Sequence, residues 1–174
     1  HSEEVIHLDL SNQALQLDSL DFSKFKNLEY LSLENDHLMQ LPKGISSLKK
    51  LKVLNLSGND FKNLPVDFTE LTSLEVLFLN NDRNFKLVQN IETLAKLPNL
   101  RILHLENDNL KKLPSEITLL QNLKSLHLKN NKLKKFPLDV QGLNNLQYLD
   151  LKDNQIKIED VDLLNINFGF QINL

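Results

Sequence analysis

Along the 174 residues, apolar and polar positions recur in one eleven-residue frame, apolar at positions 1, 4, 6 and 11 with an amide or acid at position 9. Copies begin at Val5, Leu28, Leu51, Leu74, Leu100, Leu123 and Leu146, so successive copies lie 23, 23, 23, 26, 23 and 23 residues apart. The third copy shows the frame most clearly: Leu51, Leu54, Leu56, Asn59 and Phe61, then Leu64-Pro65, Phe68 and Leu71 before Leu74 opens the next. Positions 4 and 6 alternate with 3, 5 and 7, the two-residue period of a strand that buries one face and exposes the other. A single copy cannot bury its leucines alone, so the copies must stack into a parallel sheet with strands about 4.8 Å apart. The other twelve residues of each turn return along the opposite side. Proline disfavours helix in the residue before it, so Leu41-Pro42, Leu64-Pro65, Leu113-Pro114 and Phe136-Pro137 predict short 3₁₀ or irregular return segments.

Two stretches depart from this rhythm. The 26-residue turn gains three residues near Arg83 to Lys86 and then places Ile91, Leu94, Ala95 and Leu97 at helical spacing, which predicts a short α-helix. Beyond Leu146 the frame puts Ile156, Leu163 and Ile166 in the core, and Ile172 and Leu174 inward on a partial eighth strand near 169–174. That strand would be a free edge with no cysteine-rich or polar segment to cover it. The pattern therefore predicts one domain, 1–174, of the α/β class: a solenoid with about eight parallel strands on its concave face.

These residues match the leucine-rich-repeat pattern, and with Leu-Pro-x-x-Ile after the strand the chain resembles the bacterial 23-residue class found in leptospiral proteins. The resemblance spans nearly every residue. It implies a protein-recognition module, often secreted or surface-associated, with host proteins among its partners; such solenoids host many unrelated partners, so it names none. Position 9 of the family pattern is Asn, whose amide both donates to and accepts from the backbone of successive turns. Here it reads Gln13, Asp36, Asn59, Asp82, Asp108, Asn131 and Asn154. An ionised Asp accepts only, so the ladder should lose a donor and loosen in turns two, four and five.

Composition narrows the chemistry. Without cysteine there is no disulfide, thiolate metal site or cysteine nucleophile, which also excludes the bacterial repeat-bearing ubiquitin ligases. A net charge of −3 argues against nucleic acid as partner. The charge is uneven: residues 1–40 carry eight acids and two bases, 41–157 twelve acids and eighteen bases, and 158–174 three acids. Lysines such as Lys111-Lys112 and Lys134-Lys135 follow strands and read as solvating the outer turns. No apolar run reaches the roughly 18 residues of a membrane span. The opening His-Ser-Glu-Glu is neither Met-led nor a basic-then-apolar leader, as in a processed chain or an internal piece.

The concave positions carry the candidate chemistry. Position 3 reads His7, Tyr30, Val53, Val76, Ile102, Ser125 and Tyr148, and Phe78 adds an aromatic at position 5. Tyr30, Val53, Val76, Phe78 and Ile102 form a contiguous apolar patch of the kind that marks a partner site, with Glu34, Asn80, His104 and Glu106 as its polar rim. His127 and Tyr148 extend the surface. A second reading is self-association through the carboxyl-terminal edge strand. A third is a weak metal site: His104, His127 and Asp150 share position 5 on adjacent strands with Glu106 nearby, all four facing solvent. No cofactor is implied. Two Ser/His/Asp sets, His7 with Asp9 and Ser32 and Ser125 with His127 and Asp150, lack a nucleophile elbow or oxyanion hole, so the sequence predicts no enzyme. Asn55-Leu-Ser57 fits a glycosylation acceptor but falls within a strand, where coincidence is the better account.

Overall fold

A computed structural model describes residues 1–14, 16, 19–157, 159 and 167–174. The leucine frame produces eight three-residue strands: β1 (His7–Asp9), β2 (Tyr30–Ser32), β3 (Val53–Asn55), β4 (Val76–Phe78), β5 (Ile102–His104), β6 (Ser125–His127), β7 (Tyr148–Asp150) and β8 (Gln171–Asn173). They pair in chain order as one parallel sheet, β1 to β8. Each residue pairs with the residue at the same frame position of the next copy, as in Leu54 with Leu77 and Leu77 with Leu103. Register is fixed because a one-residue slip would turn every inward leucine to solvent.

The core is two columns of leucine. From β2 to β7, position 4 (Leu31, Leu54, Leu77, Leu103, Leu126, Leu149) and position 6 (Leu33, Leu56, Leu79, Leu105, Leu128, Leu151) are all buried, each at 1% exposure or less. Phe61 and Phe68 fill the space between sheet and return segments. At about 2–5 kcal/mol for truncating one such leucine to Ala, the columns dominate stability. Turns at the ends have one neighbour instead of two, so Leu8, Leu10 and Ile172 are only partly buried against the core. Leu174, expected inward, is 52% exposed, lying past the end of the strand at Asn173. Leu163 and Ile166 lie outside the described residues.

Return segments follow the prolines. The 3₁₀ segments Val66–Glu70, Ser115–Leu119 and Leu138–Gly142 each begin directly after a proline at the N-cap. Pro65 and Pro114 hold φ −68 with extended ψ, which starts a turn without leaving an unused N–H. In the second turn that role passes to Gly44 at φ +84; a Cβ there would stand 2.5 Å from the Ser23 backbone nitrogen. The 26-residue turn holds α1 (Leu87–Ala95), the expected helix, with Leu87, Ile91 and Leu94 buried. Its buried Asn90 latches it to the preceding turn, accepting from Leu64 N–H (2.7 Å) and donating to Lys62 O (3.0 Å).

Position 8 has a backbone rule of its own. Asn12, Asn35, Asn81, Asn107, Asn130 and Asp153 all adopt φ between 57 and 61, and Gly58 sits at φ 68. The left-handed region penalises most side chains and is tolerated by Asn, Asp and Gly, so every copy carries one of these three there. Two of the side chains also bond along the solenoid, Asn35 to Asn12 and Asn107 to Asn81.

Position 9 forms a buried ladder. Backbone N–H groups of Gln13, Asp36, Asn59, Asp82 and Asp108 each donate to the side-chain Oδ1 of the next copy's position 9, at 2.6 to 3.1 Å. The acceptor half therefore survives the Asp replacements. The donor half does not. Asn59 Nδ2 donates to Leu33 O and Leu56 O, and Asn131 Nδ2 to Leu105 O and Leu128 O. Asp36, Asp82 and Asp108 instead leave Oδ2 buried without a partner. Burial pushes Asp82 up to about 8, reinforced by the nearby Asp108 and Asp60 carboxylates and opposed by the Asn59 N–H bond. Burial likewise raises Asp108 to about 7, against the bond from Asp82 N–H and with the Glu106 charge.

Candidate functional site

The sheet register converts residues far apart in sequence into columns on the face opposite the leucines. At position 3, Tyr30, Val53, Val76 and Ile102 are successive Cα partners across β2 to β5, flanked by His7 on β1 and by Ser125 and Tyr148 on β6 and β7. Position 5 places Asn55, Phe78, His104, His127 and Asp150 side by side. All four apolar members of the position-3 patch are half-buried, as is Phe78, because neighbours about 4.8 Å apart cover each other's flanks.

Aromatic and imidazole rings stack along the columns. His7 lies on Tyr30 at 4.0 Å and 2°. Phe78 lies on His104 at 4.1 Å, His104 on His127 at 4.1 Å, and His127 meets Tyr148 at 5.4 Å, joining four rings across β4 to β7. Such pairs contribute about 0.5–1.5 kcal/mol beyond area burial. The sequence signal for this strip was present, a ring at position 5 in three consecutive copies, but the two histidines read as polar groups of the binding surface, with a weak metal site as a lesser reading, and the phenylalanine as part of the apolar patch.

The polar groups correct the expectation of four solvent-facing side chains. The side chains of His104, His127 and Glu106 keep only 16%, 20% and 30% of their exposure. Asp150 is buried, its Oδ1 accepting from Lys152 N–H (3.1 Å) and Asn173 Nδ2 (3.0 Å). The structure instead gathers His104, Glu106 and His127, whose ligand-capable atoms all lie within 4.8 Å of one another. His104 Nδ1 is 3.1 Å from Glu106 Oε1 and His127 Nδ1 is 4.0 Å from it. Ser125 Oγ is 2.8 Å from His127 Nε2. Burial and the neighbouring His104 ring lower the basicity of His127, while Glu106 and Asp150 oppose that shift.

The rim residues are partly committed to the sheet. Glu34 accepts from Asn55 Nδ2 at 3.2 Å, and Asn80 Oδ1 accepts from Glu106 N–H at 2.7 Å. Asn55, of the glycosylation-like motif, is half-buried with its Oδ1 on Ser57 N–H. Neither Ser/His/Asp set assembles: Ser32 pairs with the Ser11 hydroxyl, Asp9 accepts from Ser11, and His7 is stacked on Tyr30. Ser125 does touch His127, but the backbone N–H groups of Lys124 and Ser125 both donate to Arg101 O, so they offer no oxyanion hole. Lys111, Lys112, Lys134 and Lys135 are exposed on the outer turns, as their positions predicted.

Comparison with known proteins agrees with this architecture. Residues 4–99 match the model of the leucine-rich repeat region family and residues 98–156 that of the leucine rich repeat family. A leucine-rich-repeat protein of Leptospira interrogans superposes with a TM-score of 0.59 at 26% identity, over 99% of this chain and 55% of that one. An internalin of Listeria monocytogenes superposes with a TM-score of 0.54 at 21% identity, over 82% of this chain and 46% of that one. The chain thus spans about half the length of these solved relatives. A sequence search of curated proteins returned no match. Among the described residues no helix is long and apolar enough to cross a membrane. With family models over most of its length and eight parallel strands in register, the chain belongs to the leucine-rich-repeat family, in its bacterial form.

Proposed function

We propose that the chain binds a partner protein on its concave sheet, with Phe78 and Tyr30 as anchors. Leucine-rich-repeat proteins generally mediate protein–protein contact, and the particular support here is the unbroken row Tyr30, Val53, Val76 and Ile102 beside the ring strip that starts at Phe78. Binding energy concentrates on central aromatics surrounded by polar groups that exclude water; Glu34, Asn80, His104, Glu106, His127 and Tyr148 form that surround. A bacterial chain of this kind, displayed on or released from the cell, would meet host proteins as its partners.

The test is capture with the intact chain from host and bacterial extracts, followed by affinity measurement on what is captured. Phe78→Ala should weaken binding at least tenfold with the fold intact, because the ring points away from the leucine columns. Lys134→Glu with Lys135→Glu on the outer turn should leave binding within about twofold. Unchanged affinity in Phe78→Ala would move the site off the concave face. Sedimentation at several concentrations separates this reading from self-association through β8, which predicts dimers without any partner.

A further inference from the structure

We infer that His104, Glu106 and His127 form a site for one divalent ion of the zinc class at the centre of the concave face, independent of whether a protein docks there. In a tetrahedral site with metal–ligand bonds of 2.0–2.2 Å, ligand atoms stand roughly 3.3–3.5 Å apart. His104 Nδ1 and Glu106 Oε1 already stand at 3.1 Å, and His127 Nδ1 is 4.0 Å from the same oxygen. One ligand atom from each of the three residues lies within 4.8 Å of the others, so shifts of about 1.5 Å or less would bring the set to tetrahedral spacing.

The supports are those a metal site requires. His104 and His127 sit on paired positions of adjacent strands, so the sheet sets their separation. Ser125 Oγ, 2.8 Å from His127 Nε2, can accept a hydrogen bond from Nε2–H, the tautomer that leaves the Nδ1 lone pair free on the side of Glu106. Asn80 Oδ1 holds the Glu106 backbone N–H at 2.7 Å. Partial burial strips some water from all three groups yet leaves the site open on the solvent side. The rings now stack within 12° of parallel, so their lone pairs run side by side; an ion would make them fan apart, giving up the stack. Asp150, the ligand that sequence spacing suggested, is held by Asn173 and the Lys152 backbone and plays no part. Three protein ligands leave a fourth position for water or for a partner's imidazole or carboxylate.

Calorimetric titration of the whole chain with zinc chloride at pH 7.5 tests this. One equivalent should bind, and cobalt(II) in its place should show the intense visible bands of a tetrahedral complex. His127→Gln and Glu106→Gln should each weaken binding more than tenfold, and Ser125→Ala by roughly tenfold through loss of the outer contact. His37→Gln, at the exposed pair with Asp60, should change nothing. Binding should weaken as the solution is acidified, because protons compete with the metal for its ligands. Circular dichroism confirms folding; should His127→Gln not fold, Glu106→Gln decides. No binding, binding that survives Glu106→Gln, or binding lost with His37→Gln overturns the site.

Discussion

Replacing Asp82 with Asn should make the protein more stable, by an amount that grows with pH. In the folded chain the Asp82 Oδ1 accepts from Asn59 N–H at 2.8 Å, whereas its Oδ2 is buried without a partner. The equivalent Nδ2 of Asn59 reaches Leu33 O and Leu56 O, the position-6 carbonyls of the previous and own turns. By the same offsets, an amide nitrogen at position 82 would be expected to meet Leu56 O and Leu79 O, two acceptors that an ionised oxygen would repel. Burial, with the nearby Asp108 and Asp60 carboxylates and against the Asn59 N–H bond, raises the group from 3.8 to about 8, so it is neutral when folded at pH 7. The unfolded chain ionises it freely above about pH 4. Stability from this group is thus complete below about pH 4 and declines as pH rises toward 8. At about 1.4 kcal/mol per pH unit, the three units from pH 4 to 7 cost on the order of 4 kcal/mol. An amide at position 82 does not titrate and donates to both carbonyls; Leu128 O already accepts from both Asn131 and Asn154, so one carbonyl can serve two rungs. Urea unfolding followed by circular dichroism should show Asp82→Asn more stable by about 3–5 kcal/mol at pH 7 and by about 1 kcal/mol near pH 4. At roughly 2–4 °C per kcal/mol, the gain at pH 7 is about 10 °C in Tm. A gap that does not change with pH, or a variant weaker than the native chain at pH 7, would refute the neutral-carboxyl account of the ladder.

Two further sets of substitutions probe the ring strip and the position-8 turns. His104→Ala with His127→Ala should cost about 1–2 kcal/mol in urea unfolding, not the near-zero effect of exposed side chains, because it dismantles the stack between Phe78 and Tyr148; a change below about 0.5 kcal/mol would mean that the strip adds nothing to stability. Asn107→Val should lower stability by about 1–2 kcal/mol and Asn107→Gly by much less, since φ 58 excludes a branched side chain and suits Gly; equal losses would assign the cost to the Asn81 contact instead of the backbone.

The repeat frame alone determined the solenoid, its strand register and the buried columns, because burying a leucine at positions 4 and 6 of every copy admits one alternation and one stacking direction. It also located α1, where three extra residues and helical spacing replaced an early proline. A signal for the left-handed turns is present at position 8 in the uniform Asn, Asp and Gly, but the apolar frame passes over it and the backbone angles brought it out. Tertiary structure decided what the frame is silent about, the exchange among polar groups. The position-5 carboxylate Asp150 is taken up by Asn173 of the next strand, while the position-7 carboxylate Glu106 meets the two histidines. Asp and Asn differ by one atom and look interchangeable in a pattern, yet their donor and acceptor balance sets whether a buried oxygen finds a hydrogen, and only the packed turns bury the Oδ2 atoms of Asp36, Asp82 and Asp108 without a partner. Leu174 makes the same point for apolar residues. Its place in the frame matches Leu151, yet it lies past the last strand residue, Asn173, and is 52% exposed where Leu151 is buried.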